Sequence, residues 1–525
     1  MIQALNRRRL LQGLGAGALA APALVRSQPV FAEYPFSLGV ASGDPEPDGF
    51  VLWTRLAPRP LEFGGGMPMQ PVTVRYEVAE DDGFARIARQ GEVIARPELG
   101  HAVHAEVTGL QPGRPYWYRF IAGRERSNPG RAKTAPTANA RLQRLRFASA
   151  GCQHYEAGLF TAYAHLGAEA DLDFVYHYGD YIYEGRGSTS WRNRDGSLST
   201  NPRRHLGDEI YSLDDYRRRY AQYKSDLDLQ AAHAAAPWFH TWDDHEVDNN
   251  WASDRDQDDT PPEVFRLRKA AAFQAFYEHM PLRRASLPTA ASLRLNRRAA
   301  FGDLLQAHFL DTRQHRSDQP CGDGFKPTCP AATAATATML GEAQERWLSE
   351  GLRNGARWNL LAQQVMVVRL DRRTTEEAGG EPLYNMDSWA GYVAPQARLL
   401  RQIASRDPKN VVILTGDEHQ NYAHEVAAEG AGWSGGPAVA TEFVATSISS
   451  GGDGQDQRRG ADRILARNPR CKLINDQRGY MVHELSRDTW RTDVRVMDQV
   501  RLPGGRVSTR ASYAVERGRP SLQQA

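Results

Sequence analysis

Between about Tyr34 and Pro136, apolar and polar residues alternate in short runs, as in Val72-Thr73-Val74-Arg75-Tyr76-Glu77-Val78 and Tyr116-Trp117-Tyr118-Arg119-Phe120, and Gly and Pro interrupt them. A period of two puts every second side chain on one face, so residues 33–136 are expected to form an all-β sandwich. From about Leu145 short apolar runs alternate with stretches of helical period, which predicts a layered α/β domain over 144–495 and a boundary near 137–143. Strands are expected at Leu145–Ala148, Phe174–Tyr178, Trp238–Trp242, Leu304–Leu310 and Val411–Leu414. Helices are expected at Leu213–Lys224, Glu263–His279, Gly341–Arg353 and Gln396–Ser405. The Ala/Thr tract Ala331–Thr338 reads as a surface loop, and the polar stretch 496–525 as a C-terminal tail that is a lid, a docked segment or disorder.

The first 32 residues stand apart. Arg7, Arg8 and Arg9 precede a small-residue apolar run, Leu10 to Ala21, and then Pro22 and Ala23, the make-up of a targeting segment. Paired arginines followed by Leu10 and Leu11 match the twin-arginine type, with a plain secretory signal as the alternative. The expected location is therefore periplasmic or secreted, with the twin-arginine export machinery as a partner. No later stretch reaches the roughly 18 consecutive apolar residues of a membrane span, so no transmembrane segment is expected. With 65 basic residues against 63 acidic ones, there is no global field to attract nucleic acid or an anionic membrane, and any phosphate binding must be local. Four cysteines are too few for a disulfide scaffold; Cys321 and Cys329 are expected to bond across Gly322–Thr328, and Cys471 to pack.

The informative residues fall just beyond the carboxyl ends of expected strands, where open α/β sheets place their sites. They are Cys152, then Gly179-Asp180-Tyr181-Ile182-Tyr183, then Asp243-Asp244-His245-Glu246, and later Gly416-Asp417-Glu418-His419. Singly each has a plainer reading: a packing cysteine, a turn, an acidic helix cap. Together they offer thiolate, carboxylate, phenolate and imidazole, a mixture suited to a hard trivalent ion beside a divalent one. A carboxylate such as Asp180 has two oxygens and can bridge two ions about 3.5–4 Å apart, clamping both oxygens of an in-line displacement at phosphorus. Tyr183 could bind only as phenolate, which calls for a strongly Lewis-acidic ion such as ferric iron. An arginine of Tyr216-Arg217-Arg218-Arg219-Tyr220 is expected to hold phosphate oxygens, Arg217 in preference to Arg219.

Longer words make a resemblance specific. Leu38-Gly39-Val40-Ala41-Ser42-Gly43-Asp44-Pro45, Leu52-Trp53-Thr54-Arg55, Gly179-Asp180-Tyr181-Ile182-Tyr183-Glu184, Trp242-Asp243-Asp244-His245-Glu246 and Thr415-Gly416-Asp417-Glu418-His419 resemble the alkaline phosphatase D (PhoD) family, from about residue 36 to 495. The resemblance implies an α/β fold, the layered α+β sandwich of the metallophosphatases, preceded by an all-β immunoglobulin- or fibronectin-like domain. It also implies phosphomonoesterase and phosphodiesterase activity by attack of a metal-activated hydroxide, with Fe3+ and Ca2+ as cofactors. Carried over by motif, Cys152, Asp180, Tyr183 and His419 would bind iron. Asp180, Asp244 and Asp417 would bind calcium, and His245 would contact phosphate or protonate the leaving group. Substrates would be small phosphate esters or phosphodiester polymers. One departure is Gln363-Gln364-Val365-Met366-Val367, which lacks the histidine that purple acid phosphatases use for their second metal. The alternatives are a purple-acid-type phosphomonoesterase or phytase, and an inactive exported binding protein.

Overall fold

The computed structural model describes residues 29–192, 197–352, 356–374, 380–406, 410–428 and 436–525. The expected targeting segment, apart from 29–32, lies outside the described residues, as does Arg353.

Alternation along short parallel strands decides the layers. The central strands are β1 (Val40–Glu46), β2 (Arg144–Ala150), β3 (Phe174–His177), β4 (Pro237–His240), β5 (Leu305–Phe309), β6 (Trp358–Ala362), β7 (Val411–Thr415) and β8 (Ala438–Val444). The helices that cover them include α1 (Leu213–Lys224), α2 (Pro262–His279), α3 (Gly341–Leu352) and α4 (Val393–Ala404). In β2 to β4, Phe147, Phe174, Tyr176 and Phe239 face one way, while Ala148, Val175 and Trp238 face the other. In β6 and β7, Leu360, Ala362, Val412 and Leu414 face the first set, and Leu361, Val411 and Ile413 turn outward. Two sheets therefore pack face to face over an aromatic-rich core, with helices on both outer faces.

The first sheet has ten strands. Its parallel centre runs β2-β3-β4-β1, with Phe174 opposite Phe147 and Val175 opposite Trp238. The second has seven, with β5, β6, β7 and β8 mutually parallel. Fully buried strands such as β7, apolar from Val411 to Leu414, are what a parallel sheet covered on both faces requires.

The N-terminal all-β region is built into this frame. β1 pairs in parallel with β4, and Gly49–Arg55 and Ala102–Val107 continue the ten-stranded sheet beyond it. Phe50, Leu52, Val103 and Val107 from those strands pack on Val74, Val78, Tyr118 and Phe120 of a five-stranded sheet. One sheet of the β-sandwich is thus the end of the α/β sheet.

The polar tail is not disordered: Val507–Glu516 and Arg519–Gln524 form the far edge of the ten-stranded sheet. Its alternation sends Tyr513 and Val515 into the core between the sheets. The Ala/Thr tract is only partly a surface loop, since Ala332 and Ala337 are buried. Cys321 and Cys329 are bonded, with Cα atoms 5.7 Å apart, and Cys471 is buried in the outer core of the second sheet.

A chain beginning at residue 137 would leave the β4 edge unpaired, with main-chain donors and acceptors exposed to other chains. Such a fragment is expected to aggregate, whereas a chain beginning at residue 29 stays soluble; the soluble fractions of the two decide it.

Candidate metal centre

β2, β3, β4 and β7 stop at one end of the two sheets, and the loops that follow deliver Cys152, Asp180, Asp244 and Asp417. Cys152, Asp180, Asp417 and His419 all have left-handed backbone, with φ of 52°, 54°, 65° and 54°. Non-glycine residues there cost about 1–3 kcal/mol each and persist only where the surroundings hold them. Gly179, at φ 123°, lets two loops touch: a Cβ on it would lie 2.2 Å from the Asp243 nitrogen. The Tyr178 ring fills the space left by two further glycines, since a Cβ on Gly151 or Gly416 would lie 2.4 or 2.1 Å from it. Its hydroxyl donates to the Thr446 carbonyl.

Three ligand groups emerge, each with its candidate atoms within 4.8 Å of one another: Cys152, Asp180 and His419; Asp180, Asp244 and His245; Asp243, Asp244 and Asp417. They share Asp180 and Asp244, and so form one continuous chain. The Tyr183 hydroxyl joins the first group, donating to Asp180 Oδ2 at 2.8 Å and lying 3.1 Å from His419 Nε2.

The electrostatics test whether cations fit. Burial first, then Asp180, Asp243 and Asp417, hold the Cys152 thiol well above its ordinary value; burial and Asp180 do the same to Tyr183. Burial and Asp244 push Asp180 up to about 7, and burial and Asp243 raise Asp417. Burial would raise Asp244 too, but His245 and Arg313 outweigh it and hold that carboxylate low. Burial, then Arg478, lowers His419 to about 3, so its imidazole is neutral and fit to ligate. Asp180 Oδ1 and Asp243 Oδ2 are buried without a hydrogen-bond partner. A buried acid cluster that suppresses its own ionisation, and still has orphaned oxygens, is completed by bound cations.

Arg313 is the protein's own cation here, and it was not among the residues expected. Fully buried, it donates from Nε to Asp243 Oδ1 at 2.6 Å and from Nη1 to Asp387 Oδ2 at 2.7 Å. Its unpartnered Nη2 lies 3.8 Å from Asp244 Oδ1 and 3.6 Å from Asp417 Oδ1. The strand-end rule that found the other groups also points to it, just past β5. Glu246 ties the loops together, accepting from the main-chain N–H of Asp180, Tyr181 and Asp243 at 3.1, 2.6 and 2.9 Å. Glu184 holds His245 through Nδ1 at 2.7 Å, and the imidazole lies against the Tyr183 ring, centroids 4.1 Å apart. Glu184 and Glu246 stood inside the diagnostic words, but their contacts are only visible in three dimensions.

Cys152, Asp180, Tyr183, Asp244, His245, Asp417 and His419 are thus brought together. Arg217 is not, which corrects its expected role at the phosphate. Its guanidinium makes a bidentate pair with Glu278, 2.6 Å for each contact, and donates to the Glu98 carbonyl at 3.0 Å. Arg219 on the same helix donates to the carbonyls of Tyr183 and Gly185. Two residues apart on α1 is about 200° of rotation, so only one of the pair can face the site. Arg219 faces it, with its charge spent on main-chain carbonyls.

Residues 147–494 match the PhoD-like phosphatase family, and residues 20–136 match the PhoD-like phosphatase N-terminal domain. The chain belongs to the PhoD-like phosphatase family. It is 45% identical to alkaline phosphatase D of Bacillus subtilis (strain 168), over 99% of this chain and 89% of that protein. A solved structure of PhoD superposes with a TM-score of 0.90 at 46% identity, covering 95% of this chain and 93% of the other. A purple acid phosphatase from yellow lupin (Lupinus luteus) seeds shares the fold, with a TM-score of 0.53 at 11% identity over 91% of this chain and 74% of that one. As a family member, the protein is a phosphoric ester hydrolase. No helix among the described residues is long and apolar enough to cross a membrane.

Arg217→Gln is expected to leave kcat within about twofold of the parent while lowering stability by roughly 3–5 kcal/mol, because the fully buried Glu278 loses its partner. Steady-state kinetics and denaturant unfolding of the variant measure the two effects. A second expectation concerns the chelated, metal-free protein. Asp180 titrates near 7 when folded and near 4 when unfolded, so its contribution is intact below about pH 4 and is lost as pH rises through 7. Metal-free Asp180→Asn should therefore match the parent in melting temperature below about pH 4 and exceed it at pH 8.

Proposed function

We propose that this protein is an exported, metal-dependent phosphoesterase acting on phosphomonoesters and phosphodiesters. In this reading Cys152, Asp180, Tyr183 and His419 hold a ferric ion, and Asp180, Asp244 and Asp417 hold a calcium ion. The observation that carries it is the placing of Asp180 in two adjoining ligand groups, with one of its oxygens orphaned. Bound ions would supply Lewis-acid stabilisation of the phosphoryl oxygens and would lower the pKa of the attacking water.

The protein's own groups do the rest. Thiolate, phenolate and neutral imidazole suit a ferric ion, whereas the all-carboxylate group suits calcium, a hard ion that takes oxygen ligands. Gln363 supports calcium over a second transition metal: it donates to Thr415 Oγ1 at 2.6 Å and accepts from Trp389 Nε1 at 3.1 Å, an amide committed to structure. Burial opposes charge on His245, but Glu184, Asp244 and Asp180 outweigh it and raise its pKa. With Nδ1 bound to Glu184, Nε2 is the nitrogen left to give a proton to the leaving oxygen. The paired arginines and apolar run at the start of the chain support export by the twin-arginine route.

The test is elemental analysis of exported protein, with hydrolysis of 4-nitrophenyl phosphate and bis(4-nitrophenyl) phosphate before and after calcium chelation. Iron and calcium together, with both activities lost on chelation and restored by calcium, is the expected result. Zinc or a second iron without calcium dependence would overturn the metal assignment. Asp180→Asn should lose both ions and at least ~1000-fold in kcat/KM, the equivalent of about 4 kcal/mol; near-normal metal content and activity would exclude Asp180 as the shared ligand.

A further inference from the structure

Ser450 joins two of the proposed iron ligands. It lies past the end of β8 and is 2% exposed. Its Oγ is 2.7 Å from the Tyr183 phenol oxygen and 2.7 Å from the main-chain oxygen of Cys152, and it accepts from the main-chain N–H of His154 at 3.1 Å. Its backbone is held in turn: Arg478 donates to the Ser450 carbonyl and to Ser447 Oγ, and the main-chain N–H of Ser450 reaches the same Cys152 oxygen at 3.4 Å.

A serine hydroxyl has one proton to give and can accept as well. While Tyr183 is a phenol, its proton goes to Asp180 Oδ2, and Ser450 donates to the Cys152 carbonyl. A ligating phenolate has no proton and can only accept. Of the three polar neighbours of the Tyr183 oxygen, Asp180 and His419 are then turned to the ion, which leaves Ser450 as the donor. Both acceptors lie at the same distance from Oγ, so the change needs only rotation of the hydroxyl hydrogen, and the Cys152 carbonyl keeps the Ser450 N–H.

We infer that Ser450 is a positioning residue that donates its hydroxyl proton to the Tyr183 phenolate in the iron-loaded protein. This rests on the reading of Tyr183 as a ferric ligand. A hydrogen bond to a ligating oxygen orients it and draws off electron density, as outer partners of metal ligands do. It lowers the filled phenolate orbitals and so moves a phenolate-to-iron charge-transfer band to higher energy.

The test uses full-length protein loaded with ferric iron and calcium, as parent, Ser450→Ala and Ser450→Thr. The alanine variant is expected to show its visible band at longer wavelength and to bind iron about 10–100-fold more weakly, while threonine, which keeps the hydroxyl, restores the parental band. An unmoved band in an iron-replete alanine variant would overturn the inference while leaving the ferric reading intact. No visible band in the iron-loaded parent would overturn the phenolate reading and the role of Ser450 with it. The parent alone gives a further measurement that does not depend on the variants folding. Reconstituted in H2O and in D2O, it should show an isotope shift in the phenolate C–O stretch by resonance Raman; identical spectra would refute the hydrogen bond.

Discussion

Mutual repulsion among buried acidic groups is the constraint on which the rest of the structure depends. Cys152, Asp180, Tyr183, Asp243, Asp244 and Asp417 share one largely buried crevice, where burial and the neighbouring carboxylates raise the cost of ionising Cys152, Asp180, Tyr183 and Asp417. Left alone, such groups would relax apart or take up protons. They are held together by a frame that cannot move: strand ends from two packed sheets, left-handed residues at the ligand positions, and the Tyr178 ring wedged against Gly151 and Gly416. Glu246 binds three main-chain N–H groups across two of the loops, so the anions are carried on a cross-linked support. Strain of this kind is tolerated where bound cations return the energy.

The same logic explains why the N-terminal region is fused to the α/β sheet and not strung beside it. β4 carries the Asp243–Glu246 loop, and β1 covers its open edge. Trp53 donates to the Glu278 carbonyl, Arg55 contacts His279, and Arg217 binds both Glu278 and the Glu98 carbonyl. These bonds lock α1 and α2 against the β-sandwich, and α1 carries Arg219, which grips the carbonyl of the candidate ligand Tyr183. Rigidity therefore reaches the metal centre from the domain that supplies none of its ligands.

Much of this was legible in the sequence, and the failures have physical causes. Period-two runs gave the sandwich strands, and apolar runs flanked by helical stretches gave β2, β3, β4, β5 and β7 nearly to the residue. The candidate ligands at strand ends stood out because chemistry at that place is unusual whatever the partners. β6 and β8 escaped, since short apolar runs in a chain rich in Ala carry no distinctive period. The tail stayed open between lid, docked segment and disorder because its polar residues hid an alternation that sends Tyr513 and Val515 inward. Arg217 was preferred over Arg219, which faces the site, because a run of three arginines on a helix points in three directions, and only packing says which. Arg313 and Ser450 matter through whom they touch, and sequence separations of 70 residues to Asp243 and 267 to Tyr183 leave no local trace.

The charges around the two proposed ions give an account of why they should differ. Around the first, Cys152, Asp180 and Tyr183 would carry three negative charges as ligands, and His419 would add none. Around the second, Asp243, Asp244, Asp417 and Asp387 are offset by Arg313 and by Arg316, which pairs with Asp387, leaving a net charge of two. On the proposed assignment the arginines would make the second position less negative than the first, in a crevice where surplus charge is costly. On the proposed assignment, buried Arg313 would contribute to the selectivity: without its charge the second position would favour a more highly charged ion, or a proton on one of its carboxylates. In that account the difference between the two positions is set by the charges that surround them, and the calcium position depends on an arginine that binds no metal.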